Sequence, residues 1–171
     1  MDNFDISNVL YASNASGTLS VEGFGMIFAD ALAEVVFKLT GFSFDALPIG
    51  SGHNIEFDGM IGGMSLKGDK KSGMIFISAG ESDLKILCSF MTGISQDKIT
   101  DDDMCDALCE LVNMTAGNAK LRISDPDYMF ALSWPFAING ENISIITKKR
   151  VNVVSKVLGD GEIAVKLKVV Y

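Results

Sequence analysis

The sequence predicts an α/β domain of the α+β kind, with a pair of long helices packed on one face of a mostly antiparallel sheet. Three observations lead there. Two segments have helical apolar spacing and the same local sequence: residues 30–41 read DALAEVVFKLTG and residues 106–117 read DALCELVNMTAG. Asp, Ala, Leu, Glu, Val and the closing Gly coincide in register, as in a duplicated helix-plus-strands unit. The rest of the chain is dominated by β-rich runs separated by hairpin turns, and Ile163, Val165, Leu167 and Val169 alternate strictly.

The elements follow in order. Residues 1–20 are rich in Ser, Asn and Gly, with a short strand or helical turn at 5–11. Ser20 is placed to cap a helix that begins at Val21 or Glu22 and runs to Thr40, where Gly41 ends it. Its core side is Phe28, Leu32, Val35, Val36 and Leu39. Pro48, Gly50 and Gly52 mark residues 42–56 as irregular. Residues 60–66 and 73–78 form a hairpin about Gly-Asp-Lys-Lys, with Gly62 and Gly63 signalling a bulge in its first strand. A helix over 82–91 buries Leu84, Ile86, Leu87 and Phe90 and stops at Thr92-Gly93. Thr100 caps the next helix, which reaches Leu121. Strands are expected at 128–136, at 142–147 and in a final ribbon after Lys149. That ribbon turns at Leu158-Gly159-Asp160-Gly161 and carries Lys166 and Lys168 on its wet face.

Composition narrows the function. At 171 residues and 48% hydrophobic, the chain fits one compact domain or two tightly fused halves. A net charge of −8 argues against a nucleic-acid backbone or an anionic membrane as main partner, and permits a cationic one. No apolar run is long enough to span a bilayer, and the opening MDNFDISN lacks the basic start and apolar stretch of a signal peptide. Cys88, Cys105 and Cys109 are odd in number and sit in apolar helical contexts, as expected of reduced thiols in a cytoplasmic protein. Asn14-Ala15-Ser16 matches a glycosylation triplet, a pattern short enough to arise by chance.

The helix after Thr100 carries the most informative chemistry. Asp103 completes a capping box with Thr100. At about 100° per residue, Met104, Leu108, Leu111, Val112 and Thr115 face the core, while Asp106, Glu110, Asn113 and Gly117 form a narrow stripe on the opposite side. A carboxylate and a carboxamide are thus neighbours on a rigid element. Glu110 can accept from a cation; Asn113 can both donate and accept. Together they could hold a lysine and orient a water, which is most of what phosphoryl hydrolysis asks of a protein. The plain alternative is a solvated helix face. Gly117 leaves the end of the stripe bare, so another backbone could approach.

Other candidates are weaker. His53 is the only histidine and has no nucleophile near it in sequence. Cys105 and Cys109 have the i,i+4 spacing of metal ligands but flank an apolar face without histidine partners, the pattern of buried thiols. Gly59–Gly63 is followed by no Gly-Lys-Ser/Thr, so it is no phosphate loop. Lys148-Lys149-Arg150 reads as a solvated strand end, and Gly80-Glu81-Ser82-Asp83 as a helix start.

Asp106, Glu110 and Asn113, followed by Pro135, resemble the signature of the chemotaxis phosphatases of the CheX and CheC class: an acidic residue or Ser, then Glu, then Asn at these spacings, and a Pro some twenty residues on. DALCELVNMTAGNAK and the order of elements agree, so the resemblance covers about residues 20–171 of a single domain. It implies a CheC-like fold and a hydrolase for the aspartyl phosphate of a CheY-type response regulator. Phe37 stands in the first repeat where Asn113 stands in the second, which implies the one-site, CheX-like form. Carried over, Glu110 pairs with the receiver's lysine and Asn113 orients the attacking water. Asp106 and Gly117 shape the docking face. The resemblance implies no cofactor of the chain's own, Mg²⁺ in the partner receiver, and a cytoplasmic homodimer joined through edge strands. An inactive receiver-binding or scaffold protein of the same fold is the alternative.

Overall fold

The computed structural model describes residues 19–51, 54–57, 59–140, 142–146, 151–158 and 163–170. The expectations at residues 5–11, Asn14–Ser16, His53, residues 148–150 and the turn at 159–161 lie outside them.

Helix α1 (Val21–Thr40) starts where Ser20 accepts a hydrogen bond from the Gly23 amide at 2.9 Å, and ends at Gly41, whose φ of 77° suits a residue without Cβ. The region expected to be irregular instead holds strands β1 (Phe44–Ser51) and β2 (Asn54–Phe57). Pro48 is tolerated because β1 is an edge strand and its register with β8 (Val151–Leu158) shifts between Pro48 and Ser51.

Strands β3 (Met60–Lys67) and β4 (Ser72–Ala79) form the expected hairpin. Their register is unbroken, so Gly62 and Gly63 mark no bulge in it. They are small because neighbours come close. A Cβ on Gly62 would lie 2.8 Å from the Leu108 and Val112 side chains, and one on Gly63 would lie 2.5 Å from the Phe136 ring. Helix α2 (Glu81–Thr92) buries Leu84, Leu87 and Cys88. Phe90, expected in the core, is half exposed and meets Phe42 edge-on instead.

Helix α3 (Asp101–Arg122) begins with the capping box: the Asp103 amide donates to Thr100 Oγ1 at 3.2 Å and the Thr100 amide to Asp103 Oδ2 at 2.9 Å. The strand expected at 128–136 is interrupted. A 3₁₀ turn at Pro126–Tyr128 precedes a two-residue strand β5 (Ala131–Leu132), and β6 (Phe136–Ile138) resumes after Pro135. Strands β7 (Ile143–Ile146) and β9 (Ile163–Val170) complete the described strands, and a 3₁₀ turn at Gln96–Lys98 joins α2 to α3.

The main sheet has the order β1-β8-β9-β4-β3-β5, with β6 also on β3, and every pairing is antiparallel. All three α-helices bury their apolar sides against one face of it, and α1 and α3 pack together. A separate pair, β2 and β7, covers part of the opposite face over Ile61 and Phe76. This cover corrects the expectation of a wet face at Lys168. Its side chain is fully buried, with Nζ donating to the Ile145 carbonyl at 3.1 Å. Among the described residues, no helix is long and apolar enough to cross a membrane.

Candidate functional site

The stripe on α3 is held by what lies beneath it. Met104, Leu108, Leu111, Val112, Thr115 and Ala116 are buried against the sheet and α1, so the helix cannot roll without losing core contacts. Asp106, Glu110 and Asn113 are exposed on the far side, and Gly117 is partly so. The Asn113 amide nitrogen lies 3.5 Å from Glu110 Oε2, the outer limit of a hydrogen bond, so both groups stay available to a third. A Cβ on Gly117 would meet nothing within 4 Å, so this chain's own packing does not require glycine there.

The first repeat is built differently. Asp30, the counterpart of Asp106, has a buried carboxylate oxygen. Glu34, the counterpart of Glu110, is engaged by Lys38 at 2.5 Å and by Arg122 from α3, whose Nε also donates to Asn118 at 2.8 Å. The bond from Lys38, with the Arg122 charge, holds the Glu34 carboxyl below its usual range against the opposing effect of burial. Phe37 is exposed where the second repeat has its amide. The Arg122–Glu34 pair was invisible to helix periodicity because its members lie on different helices.

The cysteines do not form a reactive pair. Burial pushes the Cys105 and Cys109 thiols up, with Asp106 acting in the same sense, and Cys105 Sγ rests 3.6 Å from the Met60 sulfur. Among the described residues, no group of three or more His, Cys, Asp or Glu side chains is arranged to hold a metal ion. A cleft of about 470 Å³ opens at the N-terminal ends of α2 and α3, lined by Phe57, Met60, Leu84, Asp101, Met104 and Asn139 among others. Asp106, Glu110, Asn113 and Gly117 do not line it. The stripe is therefore an exposed helix face that lies outside this cleft.

Pro135 lies in the connection between β5 and β6, on the edge of the sheet. Leu66 pairs with Leu132 and Gly63 with Phe136, so three steps along β3 face four along its partner. The extra residue makes a bulge across Ser133, Trp134 and Pro135.

A family model described as chemotaxis phosphatase CheX matches residues 60–157, which include the whole stripe and Pro135. No curated protein matches the chain. Among solved structures the chain is similar to the chemotaxis protein CheX of Desulfovibrio desulfuricans, with 21% identity, a TM-score of 0.69 and coverage of 86% of this chain and 99% of that one. It is similar to CheX of Vibrio vulnificus, with 16% identity, a TM-score of 0.71 and coverage of 86% and 97%. It is also similar to CheX of Borrelia burgdorferi, solved in a complex of CheX, CheY, BeF₃ and Mg²⁺, with 20% identity, a TM-score of 0.66 and coverage of 85% and 95%. At these identities the likeness establishes the fold.

Proposed function

The chain belongs to the chemotaxis phosphatase CheX family, and from that premise we propose that it hydrolyses the aspartyl phosphate of a CheY-type response regulator through the stripe on α3. The observation that carries this reading is the exposed pair Glu110 and Asn113 on a helix locked from below, with neither side chain taken up by the fold. The CheX–CheY complex from Borrelia burgdorferi supports a receiver as the partner.

In this reading Glu110 accepts the ammonium of the receiver's active-site lysine and anchors α3 over the acyl phosphate. Asn113 enters beside the phosphoryl group, and its carboxamide fixes a water in line with the phosphorus. The water oxygen bonds to phosphorus as the bond to the aspartyl oxygen breaks. The receiver's aspartate leaves as a carboxylate and the water's proton goes to the phosphate product. Mg²⁺ belongs to the receiver, where it neutralises charge on the phosphoryl oxygens. Asn113 has no basicity at neutral pH, so its contribution is orientation and not proton removal. Asp106 and Gly117 shape the docking face.

The test is receiver turnover by Glu110→Ala and Asn113→Ala. Removing the amide abolishes turnover while largely sparing binding; removing the carboxylate weakens both. A wild-type protein that binds phosphorylated receivers without accelerating phosphate release would instead be an inactive receiver-binding member of the family.

A further inference from the structure

We propose that Trp134 is an apolar docking residue for the receiver, presented by the edge bulge beside the Asn113 end of the stripe; this rests on the reading that α3 receives a phosphorylated receiver. Trp134 is the only tryptophan in the chain and is 90% exposed. A side chain of this size is seldom left so open without a use, and tryptophan is enriched among residues that dominate binding energy.

Its position follows from the packing of α3 on β3. Cys105 reaches Met60, while Leu108 and Val112 sit over Gly62, so helix and strand advance in the same direction. A strand rises about 3.3 Å per residue and a helix about 1.5 Å. Two strand residues past Gly62, at Met64, the level along α3 is therefore that of about residues 114–115. Met64 is where the register places the bulge, between Leu66↔Leu132 and Gly63↔Phe136. Trp134 thus stands level with the span from Asn113 to Gly117. It lies on the sheet-edge side of α3, opposite the side on which Asn118 and Arg122 turn to α1.

The backbone that carries Trp134 is fixed before any partner arrives. Ser133 donates its amide to the Ser65 carbonyl at 3.1 Å, and its hydroxyl accepts from the Ser65 amide at 2.9 Å. The same hydroxyl lies 3.1 Å from the Trp134 carbonyl, and Pro135 restricts the next φ. Holding an exposed aromatic on a tied backbone lowers the ordering cost of binding. Leu121, one turn past Gly117 along the stripe, is 89% exposed and adds an apolar group at that end of α3. Glu110 and Asn113 would then read the reacting centre, which all receivers share. Trp134 would read the surface around it, where receivers differ.

The experiment uses the full chain and a tryptophan-free CheY-type receiver, phosphorylated for kinetics and beryllofluoride-activated with Mg²⁺ for binding. Trp134→Ala is expected to raise KM about ten- to a hundredfold with kcat within about twofold of wild type. Trp134→Phe falls between the two. In the wild-type protein, Trp134 emission moves to the blue and its quenching by acrylamide falls as the receiver binds, a readout that needs no variant to fold. Wild-type turnover with unmoved emission and an unchanged KM in Trp134→Ala would overturn the role of Trp134 and leave the phosphatase reading standing. A sedimentation shift in Trp134→Ala without a change in KM would assign the residue to contacts between copies of this chain, and would overturn it equally. If wild type neither binds nor accelerates any receiver, the phosphatase reading falls and this inference with it.

Discussion

The Arg122 guanidinium of α3 is ion-paired with the Glu34 carboxylate of α1. Glu34 is the first-repeat counterpart of Glu110, so an interhelical contact consumes the group that the second repeat leaves free. Loss of the amide at Phe37 is then only part of what separates the two copies. A Phe37→Asn, Asn113→Ala double variant is expected to show no receiver turnover, because Glu34, the carboxylate beside the new amide, is already held by Arg122 and Lys38. Phosphate release by that variant would show that Glu34 can be freed by a partner.

The same pair contributes to stability in a pH-dependent way. Arg122→Met is expected to cost about 1 kcal/mol near neutral pH, since both groups are only partly exposed. The Glu34 carboxyl is held below its usual value in the folded state, first by Lys38 and then by the Arg122 charge. Its stabilisation is present above the unfolded carboxylate pKa and is lost as pH falls through the lower folded one. The gap between wild type and Arg122→Met in urea unfolding therefore narrows in acid. A gap that stayed constant down to the acid transition would remove the ion pair from the account.

Two glycines should respond in opposite ways to the same substitution. Gly62→Ala brings a Cβ within 2.8 Å of the Leu108 and Val112 side chains. It is expected to destabilise the fold by about 1–3 kcal/mol and to lower turnover by displacing α3. Gly117→Ala meets nothing within 4 Å and removes a helix-interior glycine, so the free protein gains up to about 1 kcal/mol. Its KM for the receiver rises all the same, because the bare stripe serves the partner. Thermal melts and steady-state kinetics on the two variants decide this. An unchanged KM in a stabilised Gly117→Ala would take Gly117 out of the docking face.

Lys168 supplies a prediction from the opposite face of the sheet. Burial holds its ammonium below the ordinary lysine pKa. The unfolded chain therefore binds more protons than the folded one between the lowered folded pKa and about 10.5, and stability rises with pH across that window. Lys168→Met keeps the volume and removes the charge. It is expected to raise Tm at neutral pH and to flatten that rise relative to wild type. A lower Tm would mean that the bond to the Ile145 carbonyl outweighs the burial of the amine.

These residues also show what the sequence could disclose. The core side of α3 and its capping box were legible because periodicity and capping are local, and Thr100 with Asp103 needs no tertiary context. The stripe was legible for the same reason, as the complement of the buried side. Strand β1 was hidden by Pro48 and Gly50, which read as breakers until a shifted edge register accommodates them. Phe90 was assigned to the core from spacing alone, and only the packing of α2 shows it open. The alternation of β9 predicted its helix-facing side correctly. Lys168 was misplaced because the cover over it comes from β2 and β7, distant in sequence. The bulge at Trp134 exists only in the pairing of β5 and β6 with β3, and no single stretch of residues encodes it.

The most direct measurement is phosphate release from a phosphorylated CheY-type receiver with Mg²⁺ present and this protein at about one-tenth the receiver concentration, beside Asn113→Ala. The account predicts many turnovers per wild-type molecule and a loss of at least about a hundredfold in kcat in the variant, with receiver binding retained. Equal rates for wild type and Asn113→Ala, or no acceleration by a wild-type protein that binds the receiver, would contradict it.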